Sequence, residues 1–337
     1  MTKSKEIIVA LFFLFLSMLS LSFGTVPTGP GEAVEAVLQF LREGTSSTIG
    51  SDAVVYLRLP HFVLAFFAGC GLALCGTVMQ AVTRNPLADP YLLGISSGAA
   101  LGAVLAIVFG VDGMFGVSGI GVSAFLGAMA VCLLILLFSQ FLSGNQMLVI
   151  ILAGFAFNAL CAAGLNFIIM VMAEPSKTRS VQFWLLGNLQ ADRWDSILVL
   201  GLILLAGCLY FYSQRRILDL MLVGDEVSLT MGRKLATYRK IYILVTAFMT
   251  SCLVCLTGTI GFVGLVIPHL VRRMAGSAHR TLLPLAALGG GCFLSWADVL
   301  GRMLVSGVTI PVGVAAAVCG APFFVWMLLS GKWGGRS

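Results

Sequence analysis

The 337-residue chain is 59% hydrophobic and only 10% charged, with a formal net charge of +6 and a mean hydropathy of +1.03. A soluble domain carries roughly a quarter charged residues because its surface must face water, so these values exclude a water-soluble globule and leave lipid as the solvent. The excess of lysine and arginine sits in short segments between apolar runs, which makes it a topology signal and excludes a nucleic-acid patch.

A bilayer-crossing helix needs about 20 mostly apolar residues. That ruler predicts an all-α, polytopic membrane protein with spans at 7–24, 61–83, 91–111, 115–142, 147–173, 195–213, 240–256, 257–273, 282–305 and 308–330, in a single transmembrane domain over 1–337. The first span follows Lys3 and Lys5, as in a signal peptide. No A-x-A site follows it and many further spans do, so an uncleaved first helix is expected. Residues 25–57 are the longest polar stretch, and Val34, Val37, Leu38 and Leu41 recur there at helical spacing, predicting a short helix on the outer membrane surface.

The second and third spans are joined by RNPLADPYLLGISSGAALG, from Arg84 to Gly102. Its G-I-S-S-G fits the nucleophile elbow of serine hydrolases, but an elbow needs a preceding strand and a histidine in reach, and no strand pattern is present. Residues before proline avoid helical geometry, so Pro86 and Pro90 predict a turn. Gly94, Gly98 and Gly102 then recur every four residues, the small-residue spacing that lets two membrane helices approach closely.

The loop before the fifth span, Ser143-Gly144-Asn145-Gln146, is small and uncharged. Asn158 and Asn166 lie within that span, where each carboxamide needs a partner: they either line a wet path or bond neighbouring helices. Met147, Phe155 and Met170 read equally as packing or lining residues. After the sixth span comes the largest inner loop, 214–239, containing ILDLMLVGDEVSLTMGRK. Leu218, Met221 and Leu222 can share a helical face, Val227, Leu229 and Met231 add apolar contact, and Gly224 and Gly232 offer breaks. Two short helices joined at Gly224 are predicted.

From Ile241 to Val271 the chain is apolar without a charge, too long for one span and short for two. Gly258, Gly261, Gly264 and Pro268 predict a full helix followed by a short, broken one, with nine spans as the alternative count. Asp298 and Arg302 are four apart on the ninth span and fit an i,i+4 pair, which an intramembrane aspartate needs, or else a proton relay. Pro311 opens the tenth span. With the N-terminus inside, 14 lysines and arginines fall on the inner side and six on the outer, which orients both termini to the cytoplasm. Nearly all nine cysteines lie inside apolar runs and read as packing; Cys252 and Cys255 form a C-x-x-C without a second ligand pair, so no metal is expected.

Several stretches together resemble the permease family that imports iron–siderophore complexes, haem and cobalamin through type II ABC transporters. They are Leu57-Arg58-Leu59-Pro60, Gly76-Thr77-Val78-Met79-Gln80 leading into RNPLADPYLLGISSG, GTIGFVGLVIPHLVRR, His279-Arg280 with Leu283-Pro284, Ala297-Asp298 with Arg302, and IPVGVAAAVCGAPFFVWML. They occur in order over about residues 55–330. The resemblance implies a homodimer in the inner (cytoplasmic) membrane, two ATPase subunits on the cytoplasmic side and a soluble or lipid-anchored substrate-binding protein on the outer side. It also implies an inverted repeat of spans 2–5 against 7–10, with Gly76-Thr77 and Gly258-Thr259 as candidate equivalents.

The chain lacks GxxxxGK[ST], so it has no phosphate cradle; no cofactor is expected on it, and ATP and Mg belong to the partner ATPase. By resemblance, Leu218, Leu222, Gly224, Asp225, Glu226, Ser228, Met231 and Gly232 form the element that couples to that ATPase; without it, the loop reads equally as an ordinary interfacial one. Arg58, His61 and Arg302 match positions that pair with acidic residues of the binding protein. His61 departs from the family's arginine, and Thr309 stands where a glutamate is usual. Ser143, Gly144 and Asn145 match the inner gate, and Asn158 and Asn166 lie on a span that borders the path. Iron(III)–siderophore is the expected cargo, with haem, cobalamin or an oxyanion such as molybdate as alternatives. An ion-coupled secondary transporter would need several buried ionisable groups, and an intramembrane enzyme a catalytic pair within the spans; neither pattern is present.

Overall fold

The computed structural model describes residues 3–24, 26, 28–44, 48–111, 119–141, 146–172, 174–189, 193–305 and 308–329. Helices dominate: α1 (Lys3–Leu19), α2 (Pro30–Glu43), α3 (Ile49–Asp52), α4 (Leu59–Thr83), α5 (Ile95–Phe109), α6 (Gly119–Phe141), α7 (Gln146–Met172), α8 (Pro175–Leu185), α9 (Trp194–Ser213), α10 (Arg215–Val223), α11 (Asp225–Thr230), α12 (Leu235–Thr257), α13 (Val263–Ala275), α14 (His279–Met303) and α15 (Val312–Leu329). Seven helical stretches among the described residues are long and apolar enough to cross a bilayer. α5 and α15 are shorter apolar helices, and α13, at 13 residues, is the short helix broken by proline that was expected after α12.

α4 is apolar on every side and buried along most of its length, as such a helix must be to stand at the centre of a bundle. It packs on α14, α12, α13 and α9. Glycines let its neighbours approach to backbone contact: a Cβ on Gly69 would lie 2.1 Å from the Gly290 carbonyl oxygen, and one on Gly76 would lie 1.9 Å from that of Gly264. The α5–α6 pair is built the same way. A Cβ on Gly98 would meet Gly127 O at 2.6 Å, and one on Gly102 would meet Ser123 O at 2.1 Å. Gly94 shares that close packing, since a Cβ there would lie 3.0 Å from Val131 Cγ1 on α6, and it has a second role. It adopts φ 68° and separates a 3-10 turn (Pro90–Leu93) from α5, so it also turns the chain where the packing stripe begins.

Pro268 lies inside α13 and removes the amide that would bond the carbonyl four residues earlier, that of Gly264. Gln80 on α4, 2% exposed, supplies the missing donor: its Nε2 donates to Gly264 O and Leu265 O, each at 3.4 Å, while its Oε1 accepts from Arg272 Nη2 at 2.9 Å. Gly76 lies within α4, whereas Gly258 follows the end of α12 at φ 61°, so the two expected equivalents do not occupy matching local geometry.

Candidate functional site

On the predicted inner side, the polypeptide between α9 and α12 forms two short helices, α10 and α11, broken at Gly224 as expected (φ 127°, ψ 163°). Such a φ excludes most side chains and lets the chain reverse in one residue. Leu218 and Met221 are fully buried and seat α10 on the bundle. Ser228 is also buried, its Oγ donating to Asp225 O at 2.8 Å. Leu218 and Ser228, expected to meet a partner, therefore face inward and hold the element in place. What faces out is an apolar edge made by Leu222, Val223, Val227, Leu229 and Met231. Val223 was missed by sequence reasoning, although it directly precedes the breaking glycine. Gly232, at φ 74°, ends the element.

Two ion pairs and one histidine–carboxylate contact fix this element. Asp225 accepts from Arg239 at 2.9 and 2.5 Å and pairs with Arg84 at 2.9 Å. Asp219 accepts from the His279 backbone amide at 2.8 Å and lies 2.7 Å from His279 Nδ1. The Asp225 carboxyl is held below the usual carboxylate range by the hydrogen bonds from Arg239, against partial burial, with the Arg239 and Arg84 charges adding to them. For Asp219 burial pushes upward, but the hydrogen bonds and charge of His279, with Arg215, outweigh it and the net direction is down. The Arg84–Pro90 turn thus has a partner no spacing rule could supply. The turn itself is closed by Asn85 Oδ1, which accepts from Leu87 N at 2.9 Å, and Asp89 Oδ1, which accepts from Tyr91 N at 2.8 Å. Pro86 is exposed and Pro90 buried against Gly264. In the G-I-S-S-G stretch, Ser97 Oγ donates to Gly94 O at 3.0 Å, a local turn bond.

On the opposite side, Arg58 is only 3% exposed. Its guanidinium donates to Leu21 O at 3.1 Å, to Thr28 Oγ1 at 2.6 Å and to Val26 O, and Gly24 lies against it. Three acceptors from the segment after α1 thus hold Arg58, expected as a docking residue, inside. His61 is half-buried. Arg302 pairs with Asp298 at 2.8 Å, the i,i+4 arrangement expected, with 19% of its side chain exposed. Thr309 is exposed, and Pro311 O accepts the amides of Val314 and Ala315 at the start of α15.

α7 carries no charged residue and is largely uncovered. Asn158 and Asn166 lie eight apart on one exposed face with Ala162 between them, and neither carboxamide bonds another described residue. Phe155 and Met170 are exposed as well, while Met147 is half-buried against the core. Ser143, Gly144 and Asn145 lie outside the described residues. Among the described residues no group of three metal-ligating side chains converges.

Comparison with known proteins agrees with this geometry. The FecCD transport family model matches residues 11–330. The chain is 39% identical over 275 residues to the hemin transport system permease protein HmuU of Yersinia pestis, covering 81% of this chain and 82% of that protein. It is 32% identical over 325 residues to the vitamin B12 import system permease protein BtuC of Klebsiella pneumoniae, covering 96% and 93%. A solved structure described as an inward-facing metal-chelate type ABC transporter superposes with a TM-score of 0.81 at 29% identity, covering 96% of this chain and 98% of that one.

Proposed function

The chain belongs to the FecCD transport family and is a multi-pass permease of an ABC importer in the inner membrane, and on that premise we propose its cargo, its assembly and the surfaces that serve them. Such a permease works with an ATPase and a substrate-binding protein, and hydrolysis belongs to the ATPase. The cargo is a metal chelate. The iron(III)–siderophore expected from the sequence is joined by haem, which the relative at 39% identity imports by name, and by cobalamin; an oxyanion fits less well, since no cation faces outward along α7.

The observation that carries the coupling assignment is the exposed apolar edge of α10 and α11, pinned from behind by Asp219 and Asp225. A rigid element with a greasy outer edge transmits a push only if another protein grips it. We assign that edge to the ATPase, with Leu222, Val223, Val227, Leu229 and Met231 in contact and Glu226 at the rim. The assembly is a homodimer on two ATPase subunits, with both termini in the cytoplasm. The uncovered Asn158–Ala162–Asn166 face borders the cargo path, because carboxamides left on a lipid-facing surface are costly and water in a path satisfies them. His61 and Arg302 meet the binding protein.

The test is uptake into proteoliposomes holding the permease, its ATPase and its binding protein, with haem, a ferric siderophore, cobalamin and molybdate compared. Uptake of one chelate dependent on all three components is expected. Accumulation by this chain alone, or of molybdate only, overturns the reading.

A further inference from the structure

At the predicted inner end of α9 the chain forms a polar pocket of about 440 Å³, lined by Tyr212, Arg215, Arg216, Asp219, Ala278 and Arg280. Three arginines face one carboxylate there, and that carboxylate is already engaged by His279. Arg215 is held in place: its guanidinium carbon lies 4.6 Å from the centre of the Tyr212 ring and its Nη1 donates to Tyr212 O at 2.9 Å. Arg216 and Arg280 are exposed and make no ion pair among the described residues. The pocket therefore carries an uncompensated positive charge with donors for an anion's oxygens.

The neighbouring surface says what kind of anion. Leu198, Leu202, Leu205 and Leu209 are 56–67% exposed and recur at helical spacing along α9, and the row ends at Tyr212, 40% exposed. An apolar stripe running the length of a membrane helix into an arginine pocket has the shape of one lipid, its acyl chain along the leucines and its phosphate among the arginines. We propose that this pocket binds the headgroup phosphate of an anionic phospholipid, and that the bound lipid braces α10, whose residues Arg215, Arg216 and Asp219 form much of the wall. The proposed topology enters only in naming the leaflet as the inner one.

Native mass spectrometry of the full-length protein, offered phosphatidylglycerol and phosphatidylcholine together, tests this without any transport assay. Retention of phosphatidylglycerol in preference is expected. Arg216→Gln and Arg280→Gln should each lower that preference about fivefold, from about 1 kcal/mol per arginine near an anionic surface, while Arg233→Gln, outside the pocket, leaves it unchanged. Equal retention of the two lipids, or an unaltered preference in both pocket variants, overturns the proposal. So does full competition by inorganic phosphate, which assigns the pocket to a free anion. Loss of ATPase binding in the variants with lipid preference intact assigns the arginines to the protein partner instead and also overturns it. Each variant is read singly and checked for a monodisperse elution profile, so a folding failure of one leaves the other decisive.

Discussion

Asp225, at the first position of α11, holds Arg239 at 2.9 and 2.5 Å and Arg84 at 2.9 Å, joining three segments that are 14 and 141 residues apart in sequence. The carboxylate is half-exposed, so its worth to global stability is small; what it does is hold α11 against α12 and the turn after α4. Asp225→Asn should lower ATPase stimulation several-fold while the melting temperature changes little. Because the folded carboxyl sits below its ordinary value, the clamp is complete above about pH 4 and is lost as pH falls through the folded value. The protection of residues 225–232 against hydrogen exchange, taken relative to the intrinsic rate at each pH, should therefore fall as the wild type is acidified below about pH 4 and be low at every pH in Asp225→Asn.

The two faces of α10–α11 make opposite predictions. Leu229→Asp or Met231→Asp, at positions 57% and 65% exposed, should abolish assembly with the ATPase and leave the permease folded. Leu218→Asp, at a fully buried position, should destabilise the protein itself, since an unpaired buried charge is costly. Co-purification with the ATPase and a detergent melting curve separate the two effects.

Gln80 replaces the bond that Pro268 removes. Gln80→Leu should leave the Gly264 carbonyl and Arg272 without their partner and cost about 1–3 kcal/mol. A melting temperature equal to wild type would show that water or a shifted helix satisfies them instead.

Gly76→Ala places a methyl 1.9 Å from the Gly264 carbonyl oxygen, so α4 and α13 must separate, at a cost of about 1–3 kcal/mol. Gly261→Ala is the control, with nothing within 4 Å of the added carbon. Its effect should stay within about 0.5 kcal/mol.

At the predicted outer end, Arg58→Gln should loosen the segment from Leu21 to Thr28, visible as faster proteolysis there, and affect binding-protein affinity only indirectly. Arg302→Gln should weaken that affinity. Equal and large affinity losses in both variants would restore Arg58 as a docking group.

The all-helical membrane fold and the break at Gly224 were legible from the chain because each is a local property: runs of apolar residues, and a glycine between two helical patterns; α8, inside what reads as a loop at 174–194, was not. The Asp298–Arg302 pair was legible for the same reason, since one helical turn joins its members. The inward bonding of Arg58 was not legible, because a cation at the end of an apolar run looks the same whether it meets a partner or the hydroxyl and carbonyls of a segment 30 to 37 residues earlier.

The apolar periods and the distribution of charge thus determined by themselves that this chain is a bundle of membrane helices with a short helical element on the predicted inner side. Only the tertiary structure decided which side of that element faces out, which arginine is buried, and that Gln80 completes a helix broken by a proline 188 positions away. In lipid an unsatisfied carbonyl or charge is costly wherever it lies, so the partner that relieves it is chosen by proximity in the folded bundle, and sequence distance carries no record of that choice.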